Sequence, residues 1–147
     1  MKKIRVFIVN LSKKNVLIRK LARKSYILLN KLKYLRYKLF YKMDDKVIFF
    51  EAFGGRNYTC SPKAIYEKML TMKEFKDFKF VWAFVDPSKH DVLNDKRLTI
   101  VKTNSKDYYK YLSIAKYWIV NSIIDEGIIK KKNQVYVQCW HGTPLKK

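Results

Sequence analysis

Residues 46–55, Lys-Val-Ile-Phe-Phe-Glu-Ala-Phe-Gly-Gly, decide the fold class of this chain. Val47–Phe50 is a continuous apolar run, which is typical of a strand buried on both faces of a sheet. Gly54 and Gly55 end the run in a loop. Ser61 and Pro62 then give the signal for a helix start. Strand, glycine loop and helix in this order predict the first unit of a parallel sheet.

The rest of the chain repeats this alternation. Apolar runs of four to eight residues predict four more strands, at residues 78–85, 98–101, 117–120 and 135–140. Helices are predicted from Ser61 to about Met72 and over residues 106–116. Tyr109 and Tyr111 lie off the apolar face of the second helix, which predicts surface or interface positions. The fold class is therefore α/β: an open, mostly parallel, Rossmann-like sheet with helices on its faces.

Polar, turn-rich segments follow three of the predicted strands. In sheets of this class, ligands bind beyond the carboxyl ends of the strands. The rule brings His141 to one edge together with six candidates for binding substrate or phosphate: Gly54, Gly55, Asn121, Ser122, Gly142 and Thr143. The alternative for the glycines is a plain strand–helix turn that needs them for backbone freedom.

The closing turn, His141 to Pro144, has the composition of an anion site. Thr143 is a preferred N-cap and Pro144 suits the first helical position. The helix N-terminus predicted there would offer free backbone N–H groups to a phosphate. An imidazole beside such a site could accept a proton from an attacking hydroxyl. The alternative for His141 is a histidine that only ties the turn by hydrogen bonding.

The first 43 residues form a strongly basic lead. They hold fourteen Lys and Arg and no Asp or Glu, within a chain of net charge +21. A helix is predicted from Ser12 to Tyr41, with an apolar stripe at Leu17, Leu21, Leu28, Leu32, Leu35 and Leu39. The basic residues expected to meet an anionic membrane surface are Lys13, Lys14, Arg19, Lys20, Arg23, Lys24, Lys31, Lys33, Arg36 and Lys38.

Three partners for this basic helix can be compared. The stripe could dock on a protein core and leave the charges in solvent. It could instead lie in a membrane interface, with the basic residues on anionic headgroups. The absence of acidic residues favours the membrane, because ordinary surface helices mix charges of both signs. A nucleic acid partner is not expected, since no recognition motif is present.

Cysteine and metal chemistry receive no support from the sequence. Cys60 and Cys139 do not form a CxxC pair, so we expect reduced cytosolic thiols without a metal or redox role. The alternative for the two cysteines is a disulfide. No metal site and no cofactor are predicted. No apolar run reaches the roughly 18 residues of a spanning helix. Arg5 interrupts the apolar N-terminal run, so a signal peptide is not expected.

Several segments resemble one known family in the right order. The closing run Cys-Trp-His-Gly-Thr-Pro-Leu-Lys-Lys, residues 139–147, is similar to the signature of the CDP-glycerol glycerophosphotransferases, the teichoic acid primases and polymerases of Gram-positive bacteria. The resemblance covers about residues 46–147. Its upstream parts are residues 50–56, 61–66, 80–86 and 115–122.

The resemblance implies a function at the cytoplasmic face of the membrane. Family members transfer glycerol phosphate, or ribitol phosphate in sister enzymes, from CDP-glycerol or CDP-ribitol to a hydroxyl of a lipid-linked acceptor. His141 matches the proposed catalytic base. The family fold implies a membrane-proximal segment at residues 1–43 and the N-terminal half of a GT-B glycosyltransferase fold at 44–147. Because the nucleotide-binding half should follow Lys147, we expect the chain alone to be inactive. The alternative is a non-catalytic module that binds the membrane surface or the teichoic acid acceptor.

Overall fold

The computed structural model describes residues 15–90 and 95–140. Within them the chain forms two compact units. The smaller unit joins residues 15–36 to Asp125–Ile129, and the larger unit contains Tyr37–Ile124 and residues 130–140.

The larger unit is built on a five-stranded sheet. Its strands are β1 (Asp44–Glu51), β2 (Lys79–Phe84), β3 (Leu98–Lys102), β4 (Ala115–Val120) and β5 (Val135–Gln138). The helices are α1 (Val16–Phe40), which reaches this unit from the smaller one, α2 (Cys60–Thr71) and α3 (Lys106–Ile114), with single 3-10 turns at Lys73–Phe75 and Pro87–His90.

All four strand pairings are parallel, in the order β3-β2-β1-β4-β5. This confirms the predicted α/β class and its mostly parallel, Rossmann-like sheet. The chain runs outward from β1 through β2 to β3 and then crosses back to β4 on the other side of β1. The direction of winding therefore reverses between β1 and β4, which is where sheets of this kind bind ligands.

Aromatic packing on both faces explains why β1 and β2 are apolar along their length. On one face the Phe50 ring stacks on Trp82, at 13° and 5.4 Å between centroids, and Tyr66 of α2 meets Phe50 edge-on. On the other face Phe49 meets Tyr108 of α3 edge-on at 5.6 Å. A strand covered on both sides has no position for a polar side chain until it ends.

Three local predictions were wrong. Tyr109 is only 2% exposed, because its ring packs on Tyr37 and its hydroxyl donates to Asn104. Helix α3 ends at Ile114 rather than 116, since Ala115 already pairs with Asp44 as the first residue of β4. Helix α2 begins one residue before Ser61, with Thr59 as its N-cap.

In the smaller unit, side chains on one side of α1 bond to the Asp125–Ile129 connector. Arg23 makes two bonds to the Glu126 carboxylate, at 2.6 and 3.1 Å, and Tyr26 OH donates to Asp125. A Cβ on Gly127, whose φ is +94°, would lie 2.5 Å from the backbone oxygen of Ile27. The connector therefore needs glycine at the point where it touches the helix.

Helix α1 runs close to its predicted span. Asn15 caps its start by accepting the N–H of Leu17 at 2.9 Å, and the helix continues to Phe40. The predicted start, Ser12, lies outside the described residues, as do Lys13 and Lys14. All six leucines of the predicted stripe stay exposed, from 41% at Leu35 to 72% at Leu39. Within the described part of this chain, no core covers the stripe.

Gln134 closes the turn before β5. Its amide N–H groups donate to the carbonyls of Leu112 and Ala115, at 2.7 and 2.5 Å, and its Oε1 accepts the N–H of Lys131. The residue is 2% exposed. One side chain thus joins the turn before β5 to the junction between α3 and β4.

Replacing Gln134 by Leu should lower the free energy of unfolding by about 2 kcal/mol, because the Ala115 carbonyl and the Lys131 N–H lose a buried partner. Urea denaturation followed by circular dichroism measures the change. Asn133→Ala, at the neighbouring exposed position, is the control and should alter stability by less than about 0.5 kcal/mol. Equal stability of the two variants would contradict the structural role of Gln134.

Candidate active site

The loop after β1 adopts a left-handed turn at the carboxyl edge of the sheet. Three successive residues have positive φ: Phe53 at 51°, Gly54 at 65° and Gly55 at 78°. The turn closes through a bond from the Gly55 N–H to the carbonyl of Ala52. A bulky residue such as Phe rarely adopts this conformation, so its surroundings must hold it there.

The end of β4 supplies that support. The N–H of Phe53 donates to Asn121 Oδ1 at 2.7 Å, and the N–H of Gly54 donates to Ser122 Oγ at 2.9 Å. Asn121 is fully buried. The structure therefore brings together Gly54, Gly55, Asn121 and Ser122, as their positions after strands predict.

Asn121 and Ser122 form hydrogen bonds with the backbone of the turn. The oxygens of Asn121 and Ser122 accept N–H groups of the turn, so the two side chains hold the loop in shape. Binding of substrate or phosphate by any of the four remains a prediction.

The two glycines meet different surroundings. A Cβ on Gly55 would lie 2.5 Å from Thr103 Cγ2 and 3.2 Å from both the Ala83 oxygen and the Val85 nitrogen. A Cβ on Gly54 would meet no described atom within 4 Å. Gly55 thus seats the loop on the ends of β2 and β3, while Gly54 faces open space.

Strand β5 ends at the same edge. Its last residue, Gln138, is in register with Val120, and the N–H of Cys139 donates to the carbonyl of Val120 at 2.7 Å. Trp140 follows with a φ of 49° and is 62% exposed. His141, Gly142 and Thr143 come next in the sequence and lie outside the described residues.

Two cysteines at this edge were not predicted to have a role. Cys60 is the first residue of α2, and the backbone N–H of Ser61, followed by the side chain of Asn121, lowers the pKa of its thiol. Burial raises the pKa of Cys139, and the nearby Cys60 adds to that effect. Both are free thiols. The available sequence signal was their position, since Cys60 ends the glycine loop after the first predicted strand and Cys139 lies near the end of the last one.

Glu51 is a second residue that the sequence interpretation missed. It is the last residue of β1, in register with Val120, and only 3% of it is exposed. Burial is the main cause that raises the pKa of Tyr136, and the charge of Glu51 contributes. The signal was an acidic residue at the end of an otherwise apolar strand.

A concave feature of the larger unit, away from this edge, is apolar. It is a groove of about 360 Å³ on the sheet face that carries α2. Its lining includes Ile48, Ile65, Met69, Tyr117 and Val137. Such a lining holds no acidic or basic side chain for phosphoryl transfer. Within residues 15–90 and 95–140, no cluster of three or more His, Cys, Asp or Glu could hold a metal ion.

Comparison with known proteins gives the family. Residues 33–147 match the CDP-glycerol:poly(glycerophosphate) glycerophosphotransferase family. This chain belongs to that family. Over 102 residues it is 44% identical to the teichoic acid poly(glycerol phosphate) polymerase of Staphylococcus epidermidis. This matched segment is 69% of this chain and 14% of the polymerase. Over 115 residues it is 32% identical to the teichoic acid glycerol-phosphate transferase of Staphylococcus aureus. This matched segment is 78% of this chain and 28% of the transferase.

Solved structures of the family share the fold. The wall teichoic acid polymerase TagF superposes with a TM-score of 0.68 at 39% identity, over 86% of this chain and 31% of TagF. A TagF variant combined with CDPG gives the same TM-score at 37% identity. The chain thus spans less than a third of the length of these relatives.

Replacing each glycine by alanine should distinguish the cost of a left-handed φ from the cost of a steric overlap. Gly54→Ala should cost about 1 kcal/mol, from the left-handed φ alone. Gly55→Ala should cost about 3 kcal/mol, because its Cβ also overlaps Thr103 Cγ2. Adding Thr103→Ser, which removes that methyl group, should restore about 1 kcal/mol to Gly55→Ala. Chemical denaturation of the four proteins measures this order, and equal losses for the two glycines would refute it.

Proposed function

We propose that the protein containing these residues transfers glycerol phosphate, or ribitol phosphate, from a CDP-activated donor to a hydroxyl of a lipid-linked glycerophosphate acceptor. The family match over residues 33–147 carries this proposal. The names of the relatives, a poly(glycerol phosphate) polymerase and a glycerol-phosphate transferase, agree with it. Because the chain spans 14% and 28% of these relatives, the activity is proposed for the whole protein. Residues 44–147 would then form the N-terminal half of a GT-B fold.

His141 is the proposed general base. An acceptor hydroxyl would attack the β-phosphorus of the donor in line, His141 would accept its proton, and CMP would leave. An imidazole with a pKa near ~6.5 suits a base at neutral pH. Gly142 and Thr143 would offer backbone N–H groups to the transferred phosphoryl oxygens, as a helix N-terminus does.

The turn from Phe53 to Gly55 would form the opposing wall of this site. Its conformation is fixed by Asn121 and Ser122, and Gly54 leaves space beside the backbone. Loops at the carboxyl ends of β1 and β4 meet where the winding of the sheet reverses. That position favours a ligand site in sheets of this class.

A chimaera tests His141 in the context of a whole enzyme. Residues 46–147 would replace the matching segment of the S. epidermidis polymerase, and transfer of radiolabelled glycerol phosphate would be measured. His141→Ala should reduce turnover by about 100-fold or more, because proton transfer then lacks its base.

His90 offers a matched control in the same chimaera. Its ring stacks on Phe84 at 3.8 Å, after β2, and has no proposed role in proton transfer. His90→Ala should keep turnover within about threefold of the unsubstituted chimaera. Near-normal turnover of His141→Ala would rule out the general base.

We further propose that α1 holds the protein at the cytoplasmic face of the membrane as a peripheral contact. Its leucine stripe is exposed, and Lys20, Lys24 and Lys31 are exposed along one side of that stripe at helical spacing. No helix in the described part of the chain is long and apolar enough to cross a bilayer. An apolar stripe flanked by lysine is typical of helices that lie in the interface and bind anionic headgroups.

Vesicle flotation tests this contact with the 147-residue chain. Each of Lys20→Gln, Lys24→Gln and Lys31→Gln should weaken binding to anionic vesicles by about fivefold, since a basic residue near the surface contributes about 1 kcal/mol. Arg23→Gln makes the same charge change, but Arg23 is already bonded to Glu126, so a smaller loss is expected. Equal binding to neutral and anionic vesicles would contradict the proposal.

The alternative function is a non-catalytic module that binds the membrane surface or the teichoic acid acceptor. The net charge of +21 favours it, since such a field attracts a polyanionic polymer. The chimaera decides between the two. Polymer binding without any glycerol phosphate transfer would support the module, whereas transfer that depends on His141 would support the enzyme.

A further inference from the structure

Cys60 occupies an unusual position at the start of α2. Its φ of +64° is left-handed, which is uncommon for a residue with a side chain. It is the first residue of a twelve-residue helix and is half-buried. The start of a helix places backbone N–H groups and a partial positive charge beside the side chain, which favours a thiolate over a thiol.

Asn121 gives a second and independent reason to expect that the Cys60 thiol ionises readily. Its Oδ1 accepts the N–H of Phe53, and only the oxygen of the amide can do so. The orientation of the amide is therefore fixed, and Nδ2 is left as a donor. This nitrogen is buried and has no hydrogen-bond partner among the described residues. The side chain lies close enough to Cys60 to lower the pKa of its thiol.

Cys139 is the second sulfur at this edge. Its backbone N–H donates to the carbonyl of Val120, the residue before Asn121. Cys139 is thereby fixed next to the asparagine that approaches Cys60. The pKa values of the two thiols shift in opposite directions, because burial raises the pKa of Cys139 whereas the backbone of Ser61 and the side chain of Asn121 lower that of Cys60. A thiol that ionises more readily beside one that ionises less readily suits a pair that exchanges disulfides, since the thiolate is the attacking form.

We propose that Cys60 is a reactive nucleophile, modified by low-molecular-weight disulfides, and that Cys139 resolves the product. In the first step the Cys60 thiolate attacks one sulfur of a disulfide RSSR. The Cys60–SR bond forms, the S–S bond of the reagent breaks, and RS⁻ leaves and takes a proton from water. In the second step Cys139 loses its proton to water and attacks Cys60 Sγ, which releases a second RS⁻ and forms a Cys60–Cys139 disulfide.

The complete 147-residue chain is used for the test, with bis(2-hydroxyethyl) disulfide as the reagent. This reagent is neutral, so the high positive charge of the protein does not attract it. Peptide mass spectrometry follows the products. The unsubstituted chain should form the internal disulfide, and Cys139→Ser should accumulate the mixed disulfide on Cys60. Cys60→Ser should react at least about tenfold more slowly.

Alkylation by iodoacetamide then tests whether the fold activates Cys60. In the native chain Cys60 should be alkylated at least about tenfold faster than Cys139. In concentrated urea the two rates should become equal within about twofold, because the helix start and Asn121 no longer act. A native rate ratio near one would overturn the proposal, as would a ratio that persists in urea.

Asn121→Asp is the matched variant. The carboxylate keeps an acceptor for the Phe53 N–H but removes the donor and places a negative charge beside Cys60. Alkylation of Cys60 should slow by about tenfold. Ser122→Ala removes the neighbouring loop bond without touching the thiol and should leave the rate within about twofold. Near-ultraviolet circular dichroism confirms that each variant is folded.

These measurements need no glycerol phosphate transfer, so the reactivity of Cys60 stands or falls separately from the proposed activity. An unchanged rate in a folded Asn121→Asp variant would remove Asn121 from the argument. Equal reaction of Cys60→Ser and the unsubstituted chain with the disulfide would remove Cys60.

Discussion

The carboxyl edge of this sheet depends on one hydrogen bond, from the backbone N–H of Phe53 to Asn121 Oδ1. Phe53 holds a left-handed φ that costs a residue with a side chain roughly 1–2 kcal/mol. A buried N–H without an acceptor would add a further cost. Asn121 Oδ1 supplies that acceptor, and the same hydrogen bond holds Phe53 in its left-handed conformation. In doing so it ties the end of β1 to the end of β4, where the winding of the sheet reverses.

The apolar character of the strands explains why the candidate site residues lie at this edge. Phe49 and Phe50 are covered on opposite faces by α3 and α2, so the interior of β1 accepts no polar side chain. Buried polar side chains occur at the carboxyl ends of β1 and β4, at Glu51 and Asn121. Five parallel strands present these ends on one side. A fold of this kind separates stability, held in the strands, from function, held in the loops after them.

The sequence was sufficient for the strands and for the convergence of their ends. A continuous apolar run such as Val47–Phe50 is typical of a strand that is covered on both faces. Parallel strands then have their carboxyl ends on a common side of the sheet. What could not be predicted was the partner of each polar atom. Asn121 was predicted at this edge as a residue for binding substrate or phosphate, but its position after β4 could not show that its Oδ1 accepts a backbone N–H from a loop 68 residues away. Tyr109 looked exposed because helical spacing alone cannot show that Tyr37 lies against it.

Composition shows how many charges α1 carries, and only the structure shows where its acidic partners lie. Composition alone shows that residues 1–43 carry no acid. The structure adds that two acids from the distant connector, Asp125 and Glu126, bond to Tyr26 and Arg23. At about 100° per residue, these two positions lie on the other side of the helix from Leu28 and Leu32. The acids of this unit are thus held away from the leucine stripe, and the lysines beside the stripe keep an unopposed positive field. Such segregation fits the proposed contact of the exposed leucines with an anionic surface, because the lysines that border them would then meet charges of opposite sign.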